Sequence, residues 1–131
     1  MCGIVAYLGD KEAQPLLLEG LRRLEYRGYD SSGIAVLNGK GLEIRKEVGR
    51  IQKLENDLAS NPLHGTLGIS HTRWATHGKP TNANAHPHTD ASGKLAIVHN
   101  GVIENYGALK KKLVEKGYSF KTETDTEVLA V

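Results

Sequence analysis

The sequence predicts an α+β fold assembled from hairpins and amphipathic helices. Two observations point there. Apolar residues alternate on one side of an Asn38-Gly39 pair and run on the other side, as in an antiparallel hairpin, and leucines recur at helical spacing without a regular βαβ succession. No repeat, low-complexity segment or linker divides the chain, so residues 1–131 are expected to form one unit. With 131 residues, 39% of them hydrophobic, the chain can bury a real core but not a large one, which bounds it to one domain or part of one.

The elements follow in order. Residues 4–8 are a short apolar run stopped by Gly9 and Asp10, which suits a buried strand beginning almost at the chain start. Pro15 fits a first helical turn, and Leu17, Leu18, Leu21 and Leu24 continue the helix to a turn at Arg27, Gly28, Tyr29 and Asp30. Residues 34–37, the Asn38-Gly39 pair and the alternating Leu42, Ile44, Lys46 and Val48 read as a hairpin closed by a type I′ turn. A helix over 51–59 stops before Asn61 and Pro62, and 66–72 reads as the next strand. Residues 73–90 have Gly78, Pro80 and Pro87 and no apolar periodicity, the pattern of a long loop of the kind that often carries function. A strand is expected over 94–99, a turn at Asn100-Gly101, and a helix carrying Leu109, Leu113 and Val114 closed by Gly117. Thr124, Asp125 and Glu127 resemble a helix start with a capping box, and that helix has barely begun at Val131, as in a domain cut within an element.

Charge and composition exclude several classes. Seventeen Lys and Arg stand against fifteen Asp and Glu, a net +2 with no basic stripe, so nucleic acid is not an expected partner. Lys110, Lys111 and Lys112 read as a solvated helix face. No run of about eighteen apolar residues and no signal peptide is present, so neither a membrane span nor secretion is expected. A lone cysteine permits no internal disulfide, and the expected location is the reducing cytoplasm.

Cys2 is the first residue with chemistry to offer. Removal of Met1 would leave a thiol and a free α-amine on one residue, with ordinary pKa values of about 8.5 and about 7.7–8.0, close enough to exchange a proton directly or through one water. The plain alternative is an incidental small apolar residue. His71, His77, His86, His88 and His99 invite a metal reading, but neither CxxC nor HExxH spacing is present, so loop hydrogen bonding is the better reading and no metal or other cofactor is expected.

Several longer strings decide between these readings. They are Met1-Cys2-Gly3-Ile4-Val5; Leu21-Arg22-Arg23-Leu24-Glu25-Tyr26-Arg27-Gly28-Tyr29-Asp30-Ser31; His71-Thr72-Arg73-Trp74-Ala75-Thr76-His77-Gly78; Asn84-Ala85-His86-Pro87-His88; and Val98-His99-Asn100-Gly101-Val102-Ile103-Glu104-Asn105 followed by Glu123-Thr124-Asp125-Thr126-Glu127. Together, in this order and over essentially the whole chain, they resemble the N-terminal-nucleophile (Ntn) glutamine amidotransferases. The Tyr-Arg-Gly-Tyr-Asp and His-Thr-Arg-Trp-Ala-Thr-His-Gly forms resemble the glucosamine-6-phosphate synthase branch, whereas amidophosphoribosyltransferases typically carry His-Arg-Gly-Gln-Asp and Arg-Tyr-Ser-Thr.

The resemblance implies an Ntn-hydrolase four-layer αββα sandwich, of which 131 residues supply only the N-terminal part, in a homo-oligomer when the protein is intact. It implies that Cys2 attacks the side-chain amide of L-glutamine, and that Asn100 through its carboxamide and Gly101 through its N–H form an oxyanion hole. Arg73 would hold the substrate α-carboxylate and Asp125 its α-ammonium, Thr76 and His77 would line the pocket, and Trp74 would gate passage toward a second site. The ammonia would go to fructose 6-phosphate in an isomerase domain that these residues lack. Each residue has a simpler structural alternative: a hairpin turn for Asn100-Gly101, a surface ion pair for Arg73, a helix cap for Asp125 and core packing for Trp74. Two rival functions stay open, a glutaminase domain serving amidophosphoribosyltransferase and a non-catalytic module binding a metal or a partner through the 73–90 loop.

Overall fold

The computed structural model describes residues 2–27, 30–74 and 79–131. The strand expected at the chain start is β1, Gly3–Leu8, but it is not a buried strand, since Ile4, Ala6 and Leu8 are exposed. The leucine-rich segment is α1, Ala13–Leu24, with Pro15 in its first turn and Arg22 and Arg23 in its last, where the helix dipole favours cations. It buries Ala13, Leu17, Leu18 and Leu21, one helical stripe. A 3₁₀ turn over Glu25–Arg27 follows, while Gly28 and Tyr29 of the expected turn lie outside the described residues.

The hairpin is β2, Ser31–Asn38, against β3, Gly41–Val48. Its turn differs from expectation. A type I′ turn needs positive φ at both central residues, but no non-glycine among the described residues has one, and the positive φ falls on Gly41 at +108°. The Asn38 side chain instead accepts the Lys40 N–H at 2.8 Å and donates to the His64 carbonyl. A contact with a neighbouring loop, invisible in a dipeptide signal, moves the glycine requirement two residues on.

The next helix is α2, Ile51–Ser60, which buries Ile51, Leu54 and Leu58. The strand after it is β4, Leu67–Arg73. It inserts between β1 and β2 to give an antiparallel sheet in the order β1-β4-β2-β3. Side chains alternate across the sheet, so Val5, Ile34 and Val36 share one face with Ser70. On that face lies the core, closed by Leu17, Leu21, Leu54, Leu58 and Leu63.

The opposite face carries Gly33, which is paired with His71 on β4 and Lys46 on β3. Here residues 84–88, which follow β4 in the chain, lie back on the sheet. A Cβ on Gly33 would fall on the His86 carbonyl, so only glycine lets that backbone lie so close. Residues 84–88 of the expected loop are thus packed onto the sheet, while residues 79–83 are exposed. The loop ends in β5, His88–Thr89, which pairs with β6, Ala96–Ile97. The strand expected over 94–99 is therefore only two residues long. Leu95 and Ala96 border an open apolar groove of about 320 Å³ over Leu37, Leu42, Leu67 and Ile69.

The third helix is α3, Tyr106–Glu115, with Gly117 beyond it at φ +95°, as expected. The last is α4, Glu127–Ala130. Its capping box does not form. Glu127 turns its carboxylate to the N–H groups of Lys121 and Thr122, at 2.9 and 2.8 Å, and α4 starts with no side-chain cap. Among the described residues no helix is long and apolar enough to cross a membrane. Of the four-layer sandwich, they supply a helical layer, the four-stranded sheet and the small β5–β6 ribbon.

Candidate active site

Cys2 sits where β1 and β4 end together. Gly3 pairs with Thr72 and donates its N–H to the Thr72 hydroxyl at 3.0 Å, which anchors the chain start beside the exit of β4. Trp74, the first residue past that strand, donates its backbone N–H to Cys2 Sγ at 3.1 Å, and its carbonyl lies 3.5 Å from the same sulfur. The sulfur thus accepts from the Trp74 N–H and, through its S–H, donates to the Trp74 carbonyl. Cys2 is half-buried and is the chain's only cysteine.

Asn100 reaches the same residue from the β6–α3 connection. Its Nδ2 donates to the Cys2 carbonyl at 3.2 Å, and its Oδ1 lies 2.8 Å from His71 Nε2. No strand returns after Asn100-Gly101, so the hairpin alternative is not what these residues build. Gly101 stands at φ +144°, a conformation that favours glycine.

Arg73 ends β4 on the face that carries His71 and is only 3% exposed. One of its nitrogens, Nη1, donates to the Lys79 carbonyl at 2.9 Å. Burial pulls its pKa below the usual arginine value, while Asp30, Cys2, Asp125 and Glu123 favour the charged form. A surface ion pair is excluded by that burial. Asp125, also 3% exposed, accepts the Ile103 N–H at 2.7 Å, which ties the segment after Asn100 to the approach of α4. It is not a helix cap.

Trp74 is 58% exposed and so is not core, although its backbone holds Cys2. Thr76 and His77 lie outside the described residues. Cys2, Asn100, Arg73 and Asp125 are therefore brought into one neighbourhood, with Trp74 at its edge.

Beside it runs a column of histidines. The His71 and His86 rings stack at 4.1 Å between centroids, and His86 meets His88 at 4.5 Å. Their nitrogens do not converge. His71 faces Asn100, His86 Nδ1 accepts the His99 N–H at 3.4 Å, and His88 Nε2 lies 2.9 Å from the Thr124 hydroxyl. Among the described residues no group of three or more His, Cys, Asp or Glu is placed to hold a metal. Burial is the first cause that lowers all three pKa values, His71 to about 4 and His88 to about 3, with His86 pushed down further still by the neighbouring histidines, Arg73 and Lys46.

His71 and Asp30 are the participants that sequence reading missed. His71 could have been found from its place two residues before Arg73, which puts both on one strand face. Asp30 stands in the Tyr-Arg-Gly-Tyr-Asp string, but that string does not show its meeting with Arg73, whose carbonyl accepts the Asp30 N–H at 3.1 Å and whose charged form it favours. The assembled groups can attack an acyl carbon with a thiol, offer an amide donor to the oxygen of that carbon, and present a buried cation and a buried carboxylate to the two ends of a zwitterion.

Comparisons with known proteins bear on the family and the fold. The profile of a family described as glutamine amidotransferase domain matches residues 42–131. A glutamine–fructose-6-phosphate aminotransferase [isomerizing] from Caldanaerobacter subterraneus subsp. tengcongensis is 59% identical over 99% of this chain and 21% of its own length. The enzymes of the same name from Thermus thermophilus and Bacteroides thetaiotaomicron are 57% and 56% identical over 99% and 98% of the chain. The chain spans about a fifth of the length of these relatives. Among solved structures, glutamine phosphoribosylpyrophosphate amidotransferase from B. subtilis superposes with a TM-score of 0.83 at 32% identity, over 99% of this chain and 28% of that one. A structure described as the allosteric regulatory enzyme of purine biosynthesis gives 0.85 at the same identity and the same coverage. The α+β fold of the Ntn-type amidotransferases is therefore shared.

Proposed function

Because this chain belongs to the glutamine amidotransferase domain family, we propose that residues 1–131 are the front part of a glutaminase domain that hydrolyses L-glutamine through Cys2. Loss of Met1 frees the Cys2 α-amine, which takes the thiol proton, directly or through one water, as sulfur attacks the γ-carbonyl carbon. The carbonyl oxygen becomes an oxyanion that accepts from Asn100 Nδ2 and the Gly101 N–H. The proton passes to the leaving nitrogen, ammonia departs, and a γ-glutamyl thioester remains on Cys2. Water, deprotonated by the same amine, attacks the thioester, and glutamate leaves with the sulfur reprotonated.

Substrate choice follows from charge. Arg73 takes the α-carboxylate with two parallel N–H groups and Asp125 takes the α-ammonium, so glutamine is held at its far end while its amide reaches Cys2. Thr76 and His77 line the pocket, and Trp74, exposed beside Cys2, gates the way out for ammonia. The observation that carries the reading is the convergence on Cys2 of the Trp74 N–H at Sγ and the Asn100 amide at its carbonyl. No further cofactor enters this scheme.

The acceptor is read from the relatives, whose name joins glutamine to fructose 6-phosphate. Their identity to this chain is well above that of the phosphoribosylpyrophosphate amidotransferases, so the ammonia is destined for fructose 6-phosphate in an isomerase portion of a homo-oligomeric, cytoplasmic protein. The test is glutamate release by the intact protein, with labelling of its thiol by a glutamine-like electrophile. Labelling should fall on Cys2 and be blocked by glutamine, whereas labelling that glutamine does not protect would contradict the reading.

A further inference from the structure

A carboxamide has two ends of nearly equal size and opposite electrostatic sense. As an oxyanion donor Asn100 must show its amino end to the substrate, because a flipped amide would set a carbonyl oxygen against a developing negative charge. Shape cannot choose between the two poses, so the choice falls to the hydrogen-bond partners.

The Cys2 carbonyl can only accept, and Asn100 Nδ2 lies 3.2 Å from it. One amide hydrogen is used there and the second is left for a ligand. Oδ1 then faces His71 Nε2 at 2.8 Å, which pairs well only if that nitrogen carries the hydrogen. The other ring nitrogen, Nδ1, is buried without a hydrogen bond of normal geometry among the described residues. That suits a lone pair better than an N–H. From these contacts we infer that His71 is a positioning residue, holding the Asn100 carboxamide by its oxygen so that its amino end stays turned to the reacting amide; this rests on the reading of Asn100 as an oxyanion donor.

The ring is well fixed for the task. His71 is wholly buried on β4, between Ile4 of β1 and Gly33 of β2, and the His86 ring covers it at 4.1 Å with only 17° between planes. Burial also keeps it neutral at physiological pH, with its pKa down to about 4 although Asn100 and the His99 backbone favour the charged form. A neutral donor adds no charge that would bind ground state and transition state alike.

The experiment uses the intact protein that carries this chain, with His71→Leu, His71→Gln, His71→Asn and Asn100→Ala. His71→Leu should lower kcat for glutamine hydrolysis by about tenfold or more, while KM for glutamine changes by less than about twofold. Affinity for an aldehyde isostere of glutamine, whose carbonyl takes up the Cys2 sulfur to form a tetrahedral adduct, should fall by the same factor as kcat, and affinity for glutamate should not. His71→Gln sets an amide N–H near the former Nε2 and should recover most of kcat. His71→Asn, whose amide nitrogen falls near Nδ1, should not, and this pair decides the matter even if the leucine variant does not fold. If Asn100→Ala costs about a hundredfold while His71→Leu and His71→Asn keep the parent rate, or lose activity only with their folded fraction, the positioning role is overturned and the oxyanion reading stands. If Asn100→Ala itself leaves kcat unchanged, both fall.

Discussion

On one face of the β1-β4-β2-β3 sheet, Val5, Ile34 and Val36 meet the leucines of α1 and α2. On the other, Gly33, His71 and Arg73 meet the returning chain, with its stacked histidines and the buried Asp125. The first face is held by apolar burial, which is non-directional and tolerant of small shifts. The second is held by hydrogen bonds with one correct arrangement each, where an unmet partner is costly. The same strands therefore serve as a wall for a core and as a rigid mount for Cys2, and the two faces should fail differently.

Acid should separate them most strongly. His71, His86 and His88 have folded pKa values below the ordinary 6.5, so their contribution is complete above about pH 6.5 and is lost as pH falls toward about 4 and about 3. The unfolded chain takes up protons that the folded one refuses. Each histidine lowers stability by about 1.4 kcal/mol per pH unit within that window, or about 4 kcal/mol per unit together. Lys46 and Arg73 face the column and add to the penalty for protonation. Urea unfolding followed from pH 7 to 5 should show this steep loss, with a shallower slope in His88→Gln. A flat profile would mean that the histidines titrate freely.

A smaller effect is expected from the helical face. Leu21→Ala removes a fully buried side chain and should cost about 2–5 kcal/mol in denaturant unfolding, while kcat per folded molecule stays at the parent value. A loss of kcat beyond the unfolded fraction would show the two faces to be coupled. Smallest is Arg73→Lys, which keeps the charge but loses the planar fork. Melting should move little, and KM for glutamine should rise by about tenfold with a lesser change in kcat. An unchanged KM would take Arg73 out of the pocket.

The difference between the faces also explains what the sequence disclosed. Leu17, Leu21, Leu54 and Leu58 announce α1 and α2 because apolar burial leaves a period, and the β2–β3 hairpin is legible for the same reason. The other face leaves none. Gly33 looks like an ordinary strand glycine until His86 lies upon it, and the strand expected over 94–99 shrinks to Ala96–Ile97 because the neighbouring chain, not propensity, sets its pairing. The capping box at Thr124 to Glu127 was a sound local signal, overridden when Glu127 took the N–H groups of Lys121 and Thr122 instead. Cys2 is legible from its place behind Met1, while Arg73, Asn100 and Asp125 are named by family resemblance alone. His71, outside that set of names, emerged only from its contact with Asn100.

The proposed mechanism gives Cys2 both the nucleophile and the base, so the amine in front of its side chain takes part in the chemistry. A residue retained in front of Cys2 turns its amine into an amide without a basic lone pair. Loss of general-base assistance is worth about 10²- to 10⁴-fold, or about 3–5 kcal/mol in the barrier. The direct measurement is glutamate release by the intact protein bearing a cleavable N-terminal extension, before and after cleavage exposes Cys2, with both forms verified by mass. Activity should appear on cleavage and rise at least about a hundredfold, with no change in melting temperature. Equal rates for the two forms would overturn the role of the Cys2 amine.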